Sequence, residues 1–395
     1  MAQQVLVYRL TGSAAALGIV SIIGFIPILP LSLWGGSIAD RFSKRWVILA
    51  AQVVMLVQAF VLAWLTWSGS VTIWQVYVMS FILGAAQAID VPARQSFTVE
   101  MVEGKEDLTN AIGLNSAIFN GARAIGPAMA GLVVAATGEG IAFFINGLSF
   151  VAVIISLLMM RNLPGPAFEV KKQVSTVSHM QEGVRYVFKT KLILVLISLV
   201  AVSAFLSMPY TTLMPVFASN ILRESAQPVM NYFCNGATPL MHCQSPEALP
   251  LGLLLAMMGV GAVVGALTVA SLGEQSRRGR LLTIGNLAFP SLLILFAFSR
   301  SFLFSSFVLF LIGFCFVCQN ALANTLLQLI TPDEMRGRVM SVYTMVFQGM
   351  NRLGSMQAGY TADWIGAAFS VGIGAVISLL FGAVVAVCYP RVRQM

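Results

Sequence analysis

The chain has 395 residues, of which 58% are hydrophobic and 10% charged, and it carries a net charge of +8. Soluble domains hold about 25% charged residues, so this composition excludes an ordinary soluble domain. The positive charge lies between long apolar runs, where the positive-inside rule accounts for it without a nucleic-acid partner.

In chain order, the first ten residues contain only a short apolar piece, Val5–Tyr8, much too short to span a bilayer. Uncharged runs of spanning length follow at 15–38, 46–67, 72–91, 110–136, 141–160, 192–218, 251–272, 281–299, 303–329, 339–362 and 368–389. They lack period-two alternation, so they are expected to be helices rather than barrel strands. The expected architecture is an all-α membrane protein with about eleven full spans and an N-terminal stub. Pro27 and Pro30 are expected to bend the first span, and Trp64, Trp67 and Trp74 sit near span ends, where indoles favour the interface. No cleavable signal peptide is evident.

The lysines and arginines orient the chain. Arg9, Arg223 and Arg300 fall on one side, Arg123 and Arg352 fall inside spans, and all the others fall on the opposite, hence cytoplasmic, side. Residues 161–191 form the longest cytoplasmic connection. Pro164 and Pro166 stop the helix before it, and 178–191 are expected to lie on the membrane surface as an amphipathic helix. The connection divides the chain into helical bundles 1–160 and 192–395, with an external insertion at 223–250. In that insertion Cys234 and Cys243 pair if the face is oxidising, or stay free, since spacing gives no geometry.

Several motifs have bland readings. Cys315 and Cys318 form a C-x-x-C inside an apolar span and read as small packing residues. The run Gly259–Gly265 follows no strand, so helix packing accounts for it better than a dinucleotide site. His179 and His242 are too far apart for a zinc-protease pair. No metal, cofactor or nucleotide-binding constellation is visible, and no enzyme activity is expected.

An internal repeat supports two halves. Gly121, Gly126 and Gly131 match Gly349, Gly354 and Gly359 at a constant offset of 228, which also places Phe119 on Phe347 and Asn120 on Gln348. A chance match of small residues in apolar helices is the alternative.

The stretch between the first two full spans carries a family resemblance. Gly36, Ile38, Ala39, Asp40, Arg41, Lys44 and Arg45 match the pattern Gly-x-Leu-Ala-Asp-Arg-x-Gly-Arg-Lys, with Ser43 in place of the second glycine. This resembles the signature loop between helices 2 and 3 of the major facilitator superfamily. Gly126-Pro127-Ala128-Met129-Ala130-Gly131 resembles the fifth-helix motif of its antiporters, with Ala130 departing from the pattern. A tight packing seam and a functional hinge both remain open for it. Asp90-Val91-Pro92-Ala93-Arg94, Thr331–Ser341 and Arg123 are similar to the branch of enterobactin-exporter-like proteins. The resemblance implies two pseudo-symmetric bundles and secondary transport, usually export, across a bacterial inner membrane. It also implies a first helix, of which this chain holds only the end; truncation or a start-site error is the expected cause.

The intramembrane polar residues are the site candidates. Arg123 and Arg352 lie near mid-bilayer, where an uncompensated arginine is costly. Each either faces a central cavity and attracts anionic groups or, for Arg123, pairs with Asp90. Asn120, Gln348, Gln87 and Asn320 are expected to add hydrogen bonds. For gating and coupling the candidates are Gly36, Asp40, Arg41, Lys44, Arg45, Asp90, Arg94, Gly126, Pro127, Arg336 and Arg338. Asp40 is expected near Arg336 or Arg338 at the start of the span beginning near Val339. Arg41 or Lys44 is expected near Asp90 or Glu100. The expected function is proton-coupled export of small drug-like or siderophore-like molecules by a monomer in the bilayer. A non-transporting receptor of the same fold, or an importer of small metabolites, is the alternative.

Overall fold

The computed structural model describes all residues except 29, 32–42, 102–104, 161–175, 236–242, 272–277 and 395. In 98–100, 105–113, 115–117, 119–120, 123–124, 128, 176–180 and 235 it describes the backbone alone. The described chain is helical throughout, with no strand. The helices are α1 (Ala2–Thr11), α2 (Ala14–Phe25), α3 (Lys44–Trp67), α4 (Ile73–Glu100), α5 (Lys105–Met159), α6 (Thr176–Lys189), α7 (Lys191–Ile221), α8 (Arg223–Met230), α9 (Ala248–Ala270), α10 (Arg278–Phe298), α11 (Phe302–Ile330), α12 (Asp333–Ile365), α13 (Ala367–Cys388) and α14 (Pro390–Gln394).

Against the eleven spans expected, eight stretches of the described residues are long and apolar enough to cross a membrane. Two expected spans fuse into α5, which breaks at Gly138 with φ +77°, a conformation that favours glycine. The break falls between 136 and 141, where the sequence places the turn. α2 is apolar but only 12 residues long as described, ending two residues before Pro27. Its expected continuation to 38 falls mostly outside the described residues. α12 has the length, 33 residues, but its polar positions, including Gln348, Asn351 and Arg352, leave it outside the eight. It is longer at both ends than the expected 339–362.

The stub at the start is a helix, and it is built in: Leu6 and Val7 of α1 are fully buried. They join a core with Leu17 of α2, Phe217 of α7 and Phe289 and Phe296 of α10. Within it the Phe217 and Phe296 rings lie 4.7 Å apart, and Tyr210 meets both Phe289 and Phe296 edge-on. Trp64, Trp67 and Trp74 are exposed at helix ends, as the interface reading expects.

The segment after α7 differs from a plain irregular insertion. It contains α8, and residues 248–250 already belong to α9. Cys234 and Cys243 form a disulfide. The Ser245 N–H donates to the Ala135 carbonyl at 3.0 Å, and Cys234 packs with Val134, Ala135, Ala248 and Leu249. The insertion is thereby pinned over the break in α5 and the start of α9. On the opposite face α6 forms where the amphipathic helix is expected. It lies against the start of α12, where Glu182 pairs with Arg338 at 2.6 Å.

Candidate functional site

Helix α12 carries the clearest functional surface. One residue turns a helix by about 100°, so Ser341, Met345, Gln348, Arg352, Ser355 and Gly359 share one face. Toward the Ile365 end that face is buried against α2. A Cβ on Gly359 would lie 2.6 Å from the Ala14 carbonyl oxygen, and one on Gly18 would lie 2.6 Å from the Ser355 carbonyl oxygen. From Arg352 toward Asp333 the same face is uncovered: Ser341, Met345, Gln348 and Arg352 are exposed. Arg352 and Gln348 stand one turn apart, and among the described residues Arg352 makes no ion pair or hydrogen bond.

The other cavity candidates differ in their surroundings. Gln87 is exposed on α4. Asn320 is half-buried and donates to its own helix, to the Phe316 carbonyl at 3.0 Å. That bond uses one of the two amide N–H groups and leaves the other and the amide oxygen unused by it. Its neighbour Gln319 is buried and donates to Asn286 at 2.7 Å, cross-linking α11 to α10. The side chains of Asn120 and Arg123 lie outside the described residues.

Among the described residues Asp90 has a basic partner in Arg94. Arg94 reaches both carboxylate oxygens at 3.2 Å from one turn away on α4, and Gln52 of α3 donates to Oδ1 at 3.0 Å. Asp90 is buried, 7% exposed, so these bonds offset the desolvation of its charge. The signal for this trio is the i, i+4 spacing of Asp90 and Arg94; Gln52, on another helix, offered none.

The signature loop is only partly described. Gly36, Asp40 and Arg41 lie outside the described residues. Arg45 donates to the Leu158 carbonyl at 2.9 Å and so caps the last turn of α5, with its guanidinium over the Trp46 ring. Lys44 opens α3. Arg336 pairs with Asp333 and donates to the Gln328 carbonyl, and Arg338 pairs with Glu182. Both arginines thus have acidic neighbours on α12 or α6, which are closer in sequence than Asp40.

Of the repeat glycines, Gly131, Gly354 and Gly359 sit at close helix approaches, while nothing described lies within 4 Å of a Cβ on Gly121 or Gly126. Five residues turn a helix by about 500°, so the three cannot line one face. Gly354 makes the tightest of these contacts, on the Phe205 carbonyl oxygen of α7, and Gly131 lies against Gly252 of α9. Pro127 stays inside α5 without ending it.

The sequence reading missed the charges at the external end. Glu139, beside the break in α5, is buried at 3% exposure and pairs with Arg9 of α1 at 3.2 Å. Asp90 is therefore not the only buried carboxylate. Glu139 and Arg9 line a cavity of about 260 Å³ with Tyr8, Asn220, Arg223 and Glu247. Asn220 donates to the Tyr8 hydroxyl at 2.7 Å, joining α7 to α1. Asp363, on the last turn of α12, receives hydrogen bonds from the start of α2.

Comparison with known proteins places this geometry in a family. The profile of the transmembrane secretion effector family matches residues 1–232 and 238–395. The chain is similar to the staphyloferrin A transporter of Staphylococcus aureus, 25% identical over 363 residues, covering 90% of this chain and 82% of that protein. It is similar to the multidrug efflux pump Tap of Mycolicibacterium fortuitum, 25% identical, covering 99% and 91%. The enterobactin exporter EntS of Escherichia coli is 24% identical, covering 87% and 73%. In structure it is similar to the nucleoside transporter NupG, with a TM-score of 0.72 at 14% identity over 98% of this chain and 93% of that one. It is likewise similar to a bacterial homolog of the lysosomal transporter Spinster, with a TM-score of 0.67 at 14% identity over 100% and 93%. The chain is a multi-pass membrane protein that belongs to the transmembrane secretion effector family of the major facilitator superfamily, a family of transporters rather than enzymes.

Proposed function

We propose that this protein is a proton-coupled exporter of small drug-like or siderophore-like molecules, working by alternating access in a bacterial cytoplasmic membrane. The carrying observation is the face of α12. It is sealed against α2 at the external end and uncovered at Gln348 and Arg352 toward the cytoplasm. A state closed outside with a charged, accessible residue at mid-helix is suited to loading a substrate from the cytoplasmic side.

Arg352 is the substrate-facing charge in this reading, with Gln348 beside it and Arg123 and Asn120 contributing from the other half, 1–160. A guanidinium with no partner among the described residues favours anionic or electron-rich substrates through charge-assisted hydrogen bonds. The relatives named as exporting enterobactin, transporting staphyloferrin A and pumping multiple drugs support a cargo of this class. Asp90, held by Arg94 and Gln52, is the coupling carboxylate, because loss of its charge would break the ion pair with Arg94 while leaving an oxygen for Gln52.

The test is flux in vesicles reconstituted with the purified chain and an imposed pH gradient. Uphill movement of an anionic siderophore-like probe supports the reading. Binding without flux in either direction would favour a receptor.

A further inference from the structure

We infer that Asp363 is a latch that holds the external gate closed, and that its release sets how often the transporter opens outward. The inference rests on the alternating-access reading and adds a named gating residue to it.

Asp363 lies on the last turn of α12, three residues from the Gly366 that ends the helix. A carboxylate there is poorly placed with respect to its own helix, whose C-terminal end carries partial negative charge. It sits instead against the N-terminal end of α2. Its Oδ2 accepts from the Ser13 hydroxyl at 2.6 Å and the Ala15 N–H at 3.1 Å, and its Oδ1 accepts from the Ala14 N–H at 2.8 Å. Ser13 in turn accepts from the Ala16 N–H. The first N–H groups of a helix lack partners within it, and here the side chain of a helix some 350 residues away supplies two of them. The match of charge is favourable for both ends.

The packing beside this contact is close. Gly359 and Gly18 bring the two backbones together beside it, toward the middle of the membrane, through Ala14 and Ser355. α2 belongs to 1–160 and α12 to 192–395, so separating the two at the external end requires all three bonds to Asp363 to break together. Asp363 itself is exposed, so water can replace them when they do. The contact therefore biases an equilibrium rather than fixing one state.

Spin labels report the state. Ser70, between α3 and α4, and Arg300, between α10 and α11, are both exposed on the external face. We would label Ser70→Cys and Arg300→Cys in the full chain with Cys315, Cys318 and Cys388 changed to Ser and the native disulfide kept. The distance distribution is then measured in lipid nanodiscs. Asp363→Ala is expected to raise the ratio of long to short distances about tenfold, equivalent to about 1.4 kcal/mol. Asp363→Asn, which keeps acceptor oxygen, is expected to give a smaller rise, and Ser13→Ala an intermediate one.

Distributions unchanged from the parent in Asp363→Ala and Ser13→Ala would overturn the latch. So would lowered thermal stability in both variants with the distance ratio unmoved, since that is the mark of a merely structural cap. Should Asp363→Ala fail to yield folded protein, the Asn and Ser13 variants carry the same comparison. The flux assay is separate: shifted distances without transport would keep the latch and remove the exporter reading.

Discussion

Gly131 and Gly252 meet backbone to backbone across the two halves of the chain. A Cβ on Gly131 would stand 2.4 Å from the Gly252 Cα, and one on Gly252 would stand 2.6 Å from the Gly131 Cα. Nothing larger than hydrogen fits between α5 and α9 here, so closure at this seam requires glycine on both helices. Gly252→Ala is expected to oppose the closed state and cost about 1–3 kcal/mol through overpacking. A thermal melt of the purified variant and export in cells at matched expression check it; unchanged values in both would show that the helices part without cost.

Arg352 is the charge that the site reading leans on. Arg352→Gln is expected to lower export of anionic probes about tenfold while cationic probes are exported as before. Equal loss for both classes, together with a lower melting temperature, would mark Arg352 as structural instead.

For Asp90 the expectation separates coupling from movement. Asp90→Asn keeps an oxygen for Gln52 and loses the ion pair with Arg94. Accumulation driven by a pH gradient is expected to stop, while exchange of substrate down its own gradient continues. Loss of both activities in well-folded protein would place Asp90 in the gate rather than in proton transfer.

The insertion makes a chemical prediction. Reducing the Cys234–Cys243 disulfide, or changing both residues to Ser, is expected to lower stability by about 2–3 kcal/mol, because a short loop in the unfolded chain is released. Melts with and without reductant measure it. The double variant should lose its response to reductant.

On the cytoplasmic face, Glu182→Gln removes the charge that pairs α6 with Arg338. This pair is partly exposed, so a stability change of no more than about 1 kcal/mol is expected. Limited proteolysis after α6 should nevertheless become faster, since the pair holds the helix to α12. Unaltered cleavage would show that the apolar face of α6 docks it alone.

The sequence by itself determined what the bilayer imposes. Uncharged runs of spanning length, basic loops and exposed indoles follow from desolvation of charge and backbone, which act along the chain and need no partner. Short-range patterns act in the same way: the amphipathic stretch became α6, and the Asp90–Arg94 pair lies within one turn, although the sequence reading gave Asp90 to Arg123, Arg41 or Lys44 instead. Pairings between distant residues were not legible. Nothing in the residues around Asp90 points to Gln52, nothing near Asp363 points to Ala14, and Glu139 reads as a loop residue until α1 and its Arg9 are laid beside it. The glycines show the division most plainly. Spaced alike in the sequence, Gly121 and Gly126 have no described neighbour within 4 Å of a Cβ, while Gly131 lies against Gly252. Which face of a helix is pressed against another depends on how the halves close, and only the tertiary structure decides that.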